Sequence, residues 1–182
     1  MKKLIVIIVM FFSLMANAQD SLLSYTEVVQ MPGIAKSEIF SRAREWFNAT
    51  FKSSKDALQI VDKESGELSG NGSIVLKERH KLIVGSQSSI FDCIYVTTVW
   101  AKDGKYKYEF SSIKVREGYN AGTNYILVSS SDKSPFKIGL VSSKSFDDKV
   151  WAGMKKSIDN FFNVLSSSLK ESMNTKNDKS NF

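Results

Sequence analysis

Trp151, Met154, Ile158, Phe161, Phe162, Leu165 and Leu169 recur at spacings of three and four, with the two phenylalanines adjacent. That period marks one face of a helix of about six turns. A stripe so wide has to be buried, and a sheet is the partner broad enough to cover it. Ser145-Phe146-Asp147-Asp148 approximates a capping box at its start, with Asp where Glu or Gln is preferred. Glu171 to Phe182 is polar and is expected to be a disordered tail.

The sheet is legible upstream. Leu22 to Met31 is rich in strand formers and stops at Pro32-Gly33. Ile39, Phe40, Ala43, Trp46, Phe47 and Phe51 then share a helical face opposite Arg42, Arg44, Glu45 and Asn48, with Ser37 as the expected cap. Ala57 to Val61 and Glu67 to Leu76 read as strands around a turn at Glu64-Ser65-Gly66, with Gly70 and Gly72 weakening the second. Ile90 to Ala101 carries bulk on both faces, Ile94, Val96 and Trp100 against Phe91, Cys93, Tyr95 and Val99, which predicts a central strand. Asp103-Gly104 makes a hairpin turn, and Tyr106, Tyr108 and Phe110 return. The apolar parity shifts at Ile113 and Val115, which predicts a bulge near Ser111-Ser112. Gly118 to Lys144 is irregular apart from one short strand within Tyr125 to Val128. The order is strand, helix, about four antiparallel strands, long helix: an α+β chain with one sheet and its helices on one face.

The first residues have a different purpose. Lys2 and Lys3 precede an apolar stretch from Leu4 to Met15, and Ala16-Asn17-Ala18 supplies the small residues a signal peptidase requires. Residues 1–18 are therefore expected to be a cleaved signal peptide, leaving a protein that starts at Gln19, exported to the periplasm or secreted. No later segment approaches the ~20 apolar residues of a membrane span, so the mature chain is expected to be soluble. Residues 19–170 suit one domain of ordinary size. Cleavage lowers 25 basic residues to 23 against 19 acidic ones, and these charges are scattered. The lone Cys93 has no intramolecular partner, which leaves a buried thiol on a strand or a bridge between chains.

Several segments carry a family resemblance: the helix Ile39-Phe40-Ser41-Arg42-Ala43-Arg44-Glu45-Trp46-Phe47, then Phe51-Lys52-Ser53-Ser54, Asp62-Lys63-Glu64-Ser65-Gly66, and Ser69-Gly70-Asn71-Gly72. Together with the export signal, this stretch, roughly Tyr25 to Ser112, resembles the exported Bacteroidetes proteins grouped as DUF4468, a domain of unknown function with a TBP-like fold. The resemblance implies the strand-helix-sheet-helix architecture. It implies no activity and supplies no catalytic residues.

The chemistry-bearing residues are sparse. The single imidazole, His80 in Glu78-Arg79-His80-Lys81, has no nucleophile or orienting carboxylate at motif spacing and reads as a solvated surface histidine. One His and one Cys make no zinc site, no Ca²⁺ loop is present, and neither metal nor cofactor is expected. Asp147-Asp148 fits charge complementarity at a helix N-terminus, and Asp62 with Glu64 reads as a solvated pair beside a turn glycine. Gly70-x-Gly72 lacks the third glycine and following helix of a phosphate cradle. The sequons at Asn48 and Asn71 are expected to be chance matches in a bacterial chain. A TBP-like fold does not carry DNA binding with it; a single repeat, mild charge and export argue against nucleic acid. The expectation is a non-catalytic interaction module for an envelope protein, contacting it through Tyr119, Asn120, Tyr125 and Phe136 in the irregular segment, with Asn124 nearby. The alternative is a small apolar ligand held between the long helix and the sheet, its cavity lined by Trp100, Tyr108 and Trp151.

Overall fold

The computed structural model describes residues 21–51, 58–81, 86–118, 124–138 and 143–175. Strand β1 (Tyr25–Gln30) leads into helix α1 (Lys36–Thr50), strands β2 (Leu58–Asp62), β3 (Glu67–Lys81), β4 (Ser86–Lys102), β5 (Lys105–Glu117) and β6 (Ile126–Leu127), and helix α2 (Lys144–Asn174). The strands form one antiparallel sheet in the order β1-β5-β4-β3-β2, with β6 also on β5. β4 is central, as its two apolar faces predict. Residues 1–20, where the signal peptide is expected, lie outside the described residues.

Both helices pack on the same face of this sheet. The long helix and the long hairpin suit each other in length. The 31 residues of α2 span about 46 Å at a rise of 1.5 Å per residue. β3 and β4 pair without interruption from Glu67↔Trp100 to Lys81↔Ser86, which gives a ridge of about 50 Å. Phe162 is the hub of the interface. It stacks on Tyr25 at 4.8 Å and on Phe110 at 5.2 Å between ring centres, and meets Tyr95 edge-on at 5.0 Å. Burying a phenylalanine this completely contributes about 2–3 kcal/mol.

The β4–β5 hairpin shows why turn chemistry matters beyond the turn. Gly104 has φ +73°, and its carbonyl accepts from Met31 N–H at 2.8 Å while its own N–H donates to Ile34 O at 2.9 Å. Asp103 beside it accepts the Lys36 backbone N–H at 2.7 Å. That carboxylate, and not Ser37, satisfies the first turn of α1; Ala35 occupies the cap position and has no side-chain bond to offer. The bulge in β5 falls where the parity shift places it. Ser112 adopts φ +51°, the register slips between Ile94 and Val96, and Ile113 and Val115 thereby return to the helix side.

The cap of α2 lies two residues before the expected one. Ser143, not Ser145, accepts the Phe146 N–H at 3.2 Å. The helix also continues to Asn174, and Met173 in its last turn is fully buried, so the expected tail does not begin at Glu171. Arg42 explains this end. Expected on the outer face of α1, it is buried, donates to Glu38 Oε1 at 2.7 Å, and donates from Nη1 to the Met173 carbonyl at 2.7 Å. A guanidinium thus supplies a donor to a terminal helix carbonyl that would otherwise be buried without one. Residues 176–182 lie outside the described residues.

The uncovered face of the sheet as a candidate binding surface

Side chains alternate across the sheet, so covering one face leaves the other open. Toward the helices point Tyr95, Val99, Tyr108, Phe110 and Val115, all buried. Toward the open side point rows fixed by the strand register. Val28, Lys107, Trp100 and Glu67 form one row; Thr26, Glu109, Thr98 and Ser69 the next; then Ser111, Val96 and Asn71; then Lys114, Ile94 and Ser73; and finally Arg116, Asp92 and Val75. Val28 and Val75 are more than half exposed. Ser69 and Thr98 bond through their hydroxyls at 3.0 Å, and Arg116 pairs with Asp92 at 2.6 Å. Lys107 Nζ lies 4.7 Å from the centre of the Trp100 ring and 3.0 Å from Glu109 Oε2.

Two depressions mark this face. One of about 420 Å³ lies at its hairpin end, between Val28 and Trp100 with Lys102, Lys105 and Lys107 around it. The other, about 500 Å³, lies over the bulge between Asn71, Ser73, Ile94, Val96, Ser112 and Lys114. A third hollow, about 490 Å³, sits off the sheet at the start of α1, beside Lys36, Phe40, Arg44 and Asp103. None of the three is lined by a residue of α2.

The residues expected to line one cavity are separated. Trp100 is on the open face, whereas Tyr108 and Trp151 are buried on the helix side. Tyr108 donates to Glu27 Oε2 at 2.7 Å, and that carboxylate is paired with Lys170 at 2.5 Å. Trp151 donates from its indole to the Ser131 carbonyl at 3.0 Å and packs on Phe136. Phe136 also contacts Phe91, so it holds the irregular segment to the core. Tyr125 lies under Arg116, with 4.8 Å from guanidinium carbon to ring centre. Tyr119 and Asn120 lie outside the described residues.

Several ionisable residues serve the structure. His80 is not a solvated surface histidine. It points toward α2, meets the Phe146 ring edge-on at 5.7 Å, and its Nε2 is buried without a partner among the described residues. Burial holds its pKa below the usual imidazole value. Cys93 is buried on the helix side, and burial pushes its thiol up to about 12. That is the inert environment of a structural cysteine. Asp147 and Asp148 do more than complement the helix dipole. Asp147 accepts Ile138 N–H at 3.0 Å, and Asp148 accepts Ser134 N–H at 2.7 Å and pairs with Lys144 at 3.1 Å. Together they tie residues 134–138 to the helix start. Asp62 accepts the N–H groups of Ser65 and Glu64, and the Ser65 side chain together with these bonds holds its carboxyl below the usual range. Among the described residues no three or more His, Cys, Asp or Glu side chains converge as metal ligands, and no helix is long and apolar enough to cross a membrane.

These features define a class: an α+β domain with a six-stranded antiparallel sheet, closed on one side by two helices and open on the other. The chain belongs to the DUF4468 family, a domain of unknown function with a TBP-like fold, which matches residues 25–116. Among solved structures it is similar to a DUF4468 family protein from Bacteroides ovatus ATCC 8483, with 14% identity, 88% of this chain and 91% of that chain covered, and a TM-score of 0.58. It is also similar to a TBP-like protein from Parabacteroides distasonis ATCC 8503, with 16% identity, 87% and 97% coverage, and a TM-score of 0.54. At such identities the likeness shows the fold alone. No curated relative matches the chain.

Proposed function

We propose that the protein is an exported, non-catalytic binding module whose contact surface is the uncovered face of the sheet. One observation carries this reading: Trp100, Val96, Ile94, Val75 and Val28 stand on a sheet face that neither helix covers, beside two depressions. An accessible apolar patch rimmed by hydroxyl, amide and charged groups is what a contact surface requires. Export is supported by the order of Lys2-Lys3, the apolar stretch and Ala16-Asn17-Ala18. The non-catalytic part is supported by the engagement of Asp147 and Asp148 in structural bonds and by the burial of Cys93. The mixed signs of Lys107, Glu109, Arg116 and Asp92 on the open face suit a protein or small-molecule partner better than a phosphate backbone.

A small apolar ligand beneath the long helix finds no support in the geometry, because Trp151, Met154, Ile158 and Phe162 are each at most 1% exposed and packed against the sheet. The test of the leading reading is a comparison of envelope components retained by the wild-type protein and by an Ile94→Glu/Val96→Glu variant. Retention that disappears with the variant supports the open face; an identical set from both overturns it. N-terminal sequencing of the protein recovered from cells is expected to begin at Gln19, and an intact Met1 would overturn export by cleavage.

A further inference from the structure

The hairpin corner of the open face has a charge arrangement that the fold does not require. Lys102 and Lys105 are directly opposite each other across the β4–β5 turn. Alternation puts both on the open side, next to Lys107 along β5 and Trp100 along β4. Like charges directly opposite on one face repel. Here nothing offsets them: neither Lys102 nor Lys105 has a partner among the described residues. Lys107 differs, being held by Glu109 at 3.0 Å while it covers the Trp100 ring. The depression between these residues carries no carboxylate in its lining. Glu67 lies beyond Trp100 in the same row, and Glu109 is already taken by Lys107.

The shape adds a second constraint. Val28, Lys107 and Trp100 share one row across β1, β5 and β4. Two strand spacings set Val28 and Trp100 about 10 Å apart. Lys107 lies between them with its ammonium over the indole, so a flat ring is admitted over that side chain, flanked by the valine and the indole. Its volume of about 420 Å³ is that of a small-molecule site, and too small for a folded partner to enter.

We infer that this corner binds a small aromatic carboxylate, its ring over Lys107 and flanked by Val28 and Trp100, and its carboxylate between Lys102 and Lys105. The inference rests on the open-face reading and names a ligand class for one end of that face. Anion binding relieves the lysine–lysine repulsion, and two ammonium groups converging on one carboxylate give charge-assisted hydrogen bonds. A neutral aromatic molecule has the same walls but no such gain. An isolated anion such as acetate has the lysines but no walls.

The three tryptophans make the test internally controlled. Trp46 and Trp151 donate their indole N–H to Ser168 and to the Ser131 carbonyl on the helix side, whereas Trp100 faces the open side. Naphthoate is titrated into the nitrogen-labelled protein, with the Trp100 signal assigned by its loss in Trp100→Phe. The expected result is a saturable shift of the Trp100 indole signal with the other two unmoved. Lys102→Gln/Lys105→Gln is expected to weaken binding about tenfold, as removal of charge-assisted bonds does, with unchanged Trp46 and Trp151 signals reporting an intact fold. Naphthylmethanol is expected to bind about tenfold more weakly than naphthoate. No saturation below about 5 mM, a weak-fragment limit, overturns the inference. So does equal binding of naphthylmethanol, or binding indifferent to the double variant. Ile94→Glu/Val96→Glu lies at the face centre and not in this trough, so its effect on envelope retention can persist when naphthoate fails, and only the ligand class is then lost.

Discussion

The two faces of the sheet are built from the same strands, yet they do different physical work. On the helix side, Phe162, Tyr95, Phe110 and Val115 are sealed, and several polar groups there are paired, as Tyr25 is with Asp159 and Ser157 with Glu78. His80 Nε2, Thr97 Oγ1 and the Tyr106 hydroxyl are buried there without a partner among the described residues. On the open side, Trp100, Ile94 and Val96 are bulky but only partly buried, and their neighbours are hydroxyls and lysines. Stability resides on the first face. Apolar bulk on the second is less completely buried, Val28 and Val75 least of all, and contact with something outside the chain would cover it.

Substitutions separate the faces most sharply. Phe162→Ala is expected to lose about 3–5 kcal/mol by opening a cavity among four aromatic rings, whereas Val96→Ala should lose less than about 1 kcal/mol. Urea midpoints at constant slope measure both, and equal losses would break the contrast. Arg42→Met keeps the apolar stem but removes the bonds to Glu38 and the Met173 carbonyl. A loss of about 2 kcal/mol is expected, with faster amide exchange confined to the last turn of α2. Unchanged exchange there would show that the guanidinium does not hold that end.

Gly72 probes how tightly the covered face is packed. A Cβ at this position would lie 2.3 Å from the Tyr95 ring, which is itself set against Phe161 and Phe162. Gly72→Ala is expected to cost about 1–3 kcal/mol through overpacking. Tyr95→Leu in the same chain should recover part of that cost, since the shorter side chain vacates the ring position. A double variant with purely additive losses would remove this explanation.

The smallest effect is the pH dependence set by His80. Burial depresses its folded pKa below the ordinary value of 6.5. In the window between these two pKa values the unfolded chain binds more protons, so stability falls as pH falls and is fully present above 6.5. The wild type is therefore expected to lose more stability than His80→Asn between about pH 7.5 and 5.5, by less than about 1 kcal/mol. Parallel unfolding midpoints for the two proteins would show that His80 carries no such dependence.

Local pattern reached further into the fold than into the site. The stripe from Trp151 to Leu169, the Asp103-Gly104 turn and the parity shift before Ile113 each depend on near neighbours, and each is found where the residues place it. The proposed grouping of Trp100 with Tyr108 and Trp151 failed for a reason of register. Tyr108 pairs with Val99, and Trp100 with Lys107. With a side-chain period of two, that one-residue offset puts Trp100 on the opposite face. The placement of His80 is not legible locally, because its charged neighbours suggest solvent while alternation along β3 turns the imidazole and Glu78 toward α2.

The sequence by itself determined the order of elements, the apolar stripes of both helices and the central position of β4, because period and turn chemistry are local properties of the chain. Only the tertiary structure decided which of the two apolar faces of β4 the helices cover. It also decided that Asp103 caps a helix distant in sequence, that Arg42 closes the end of α2, and that Lys102, Lys105 and Trp100 meet at one open corner. Those outcomes depend on contacts between residues far apart along the chain. Two helices on one side can cover one face of a sheet and no more, and no local pattern states which face that will be.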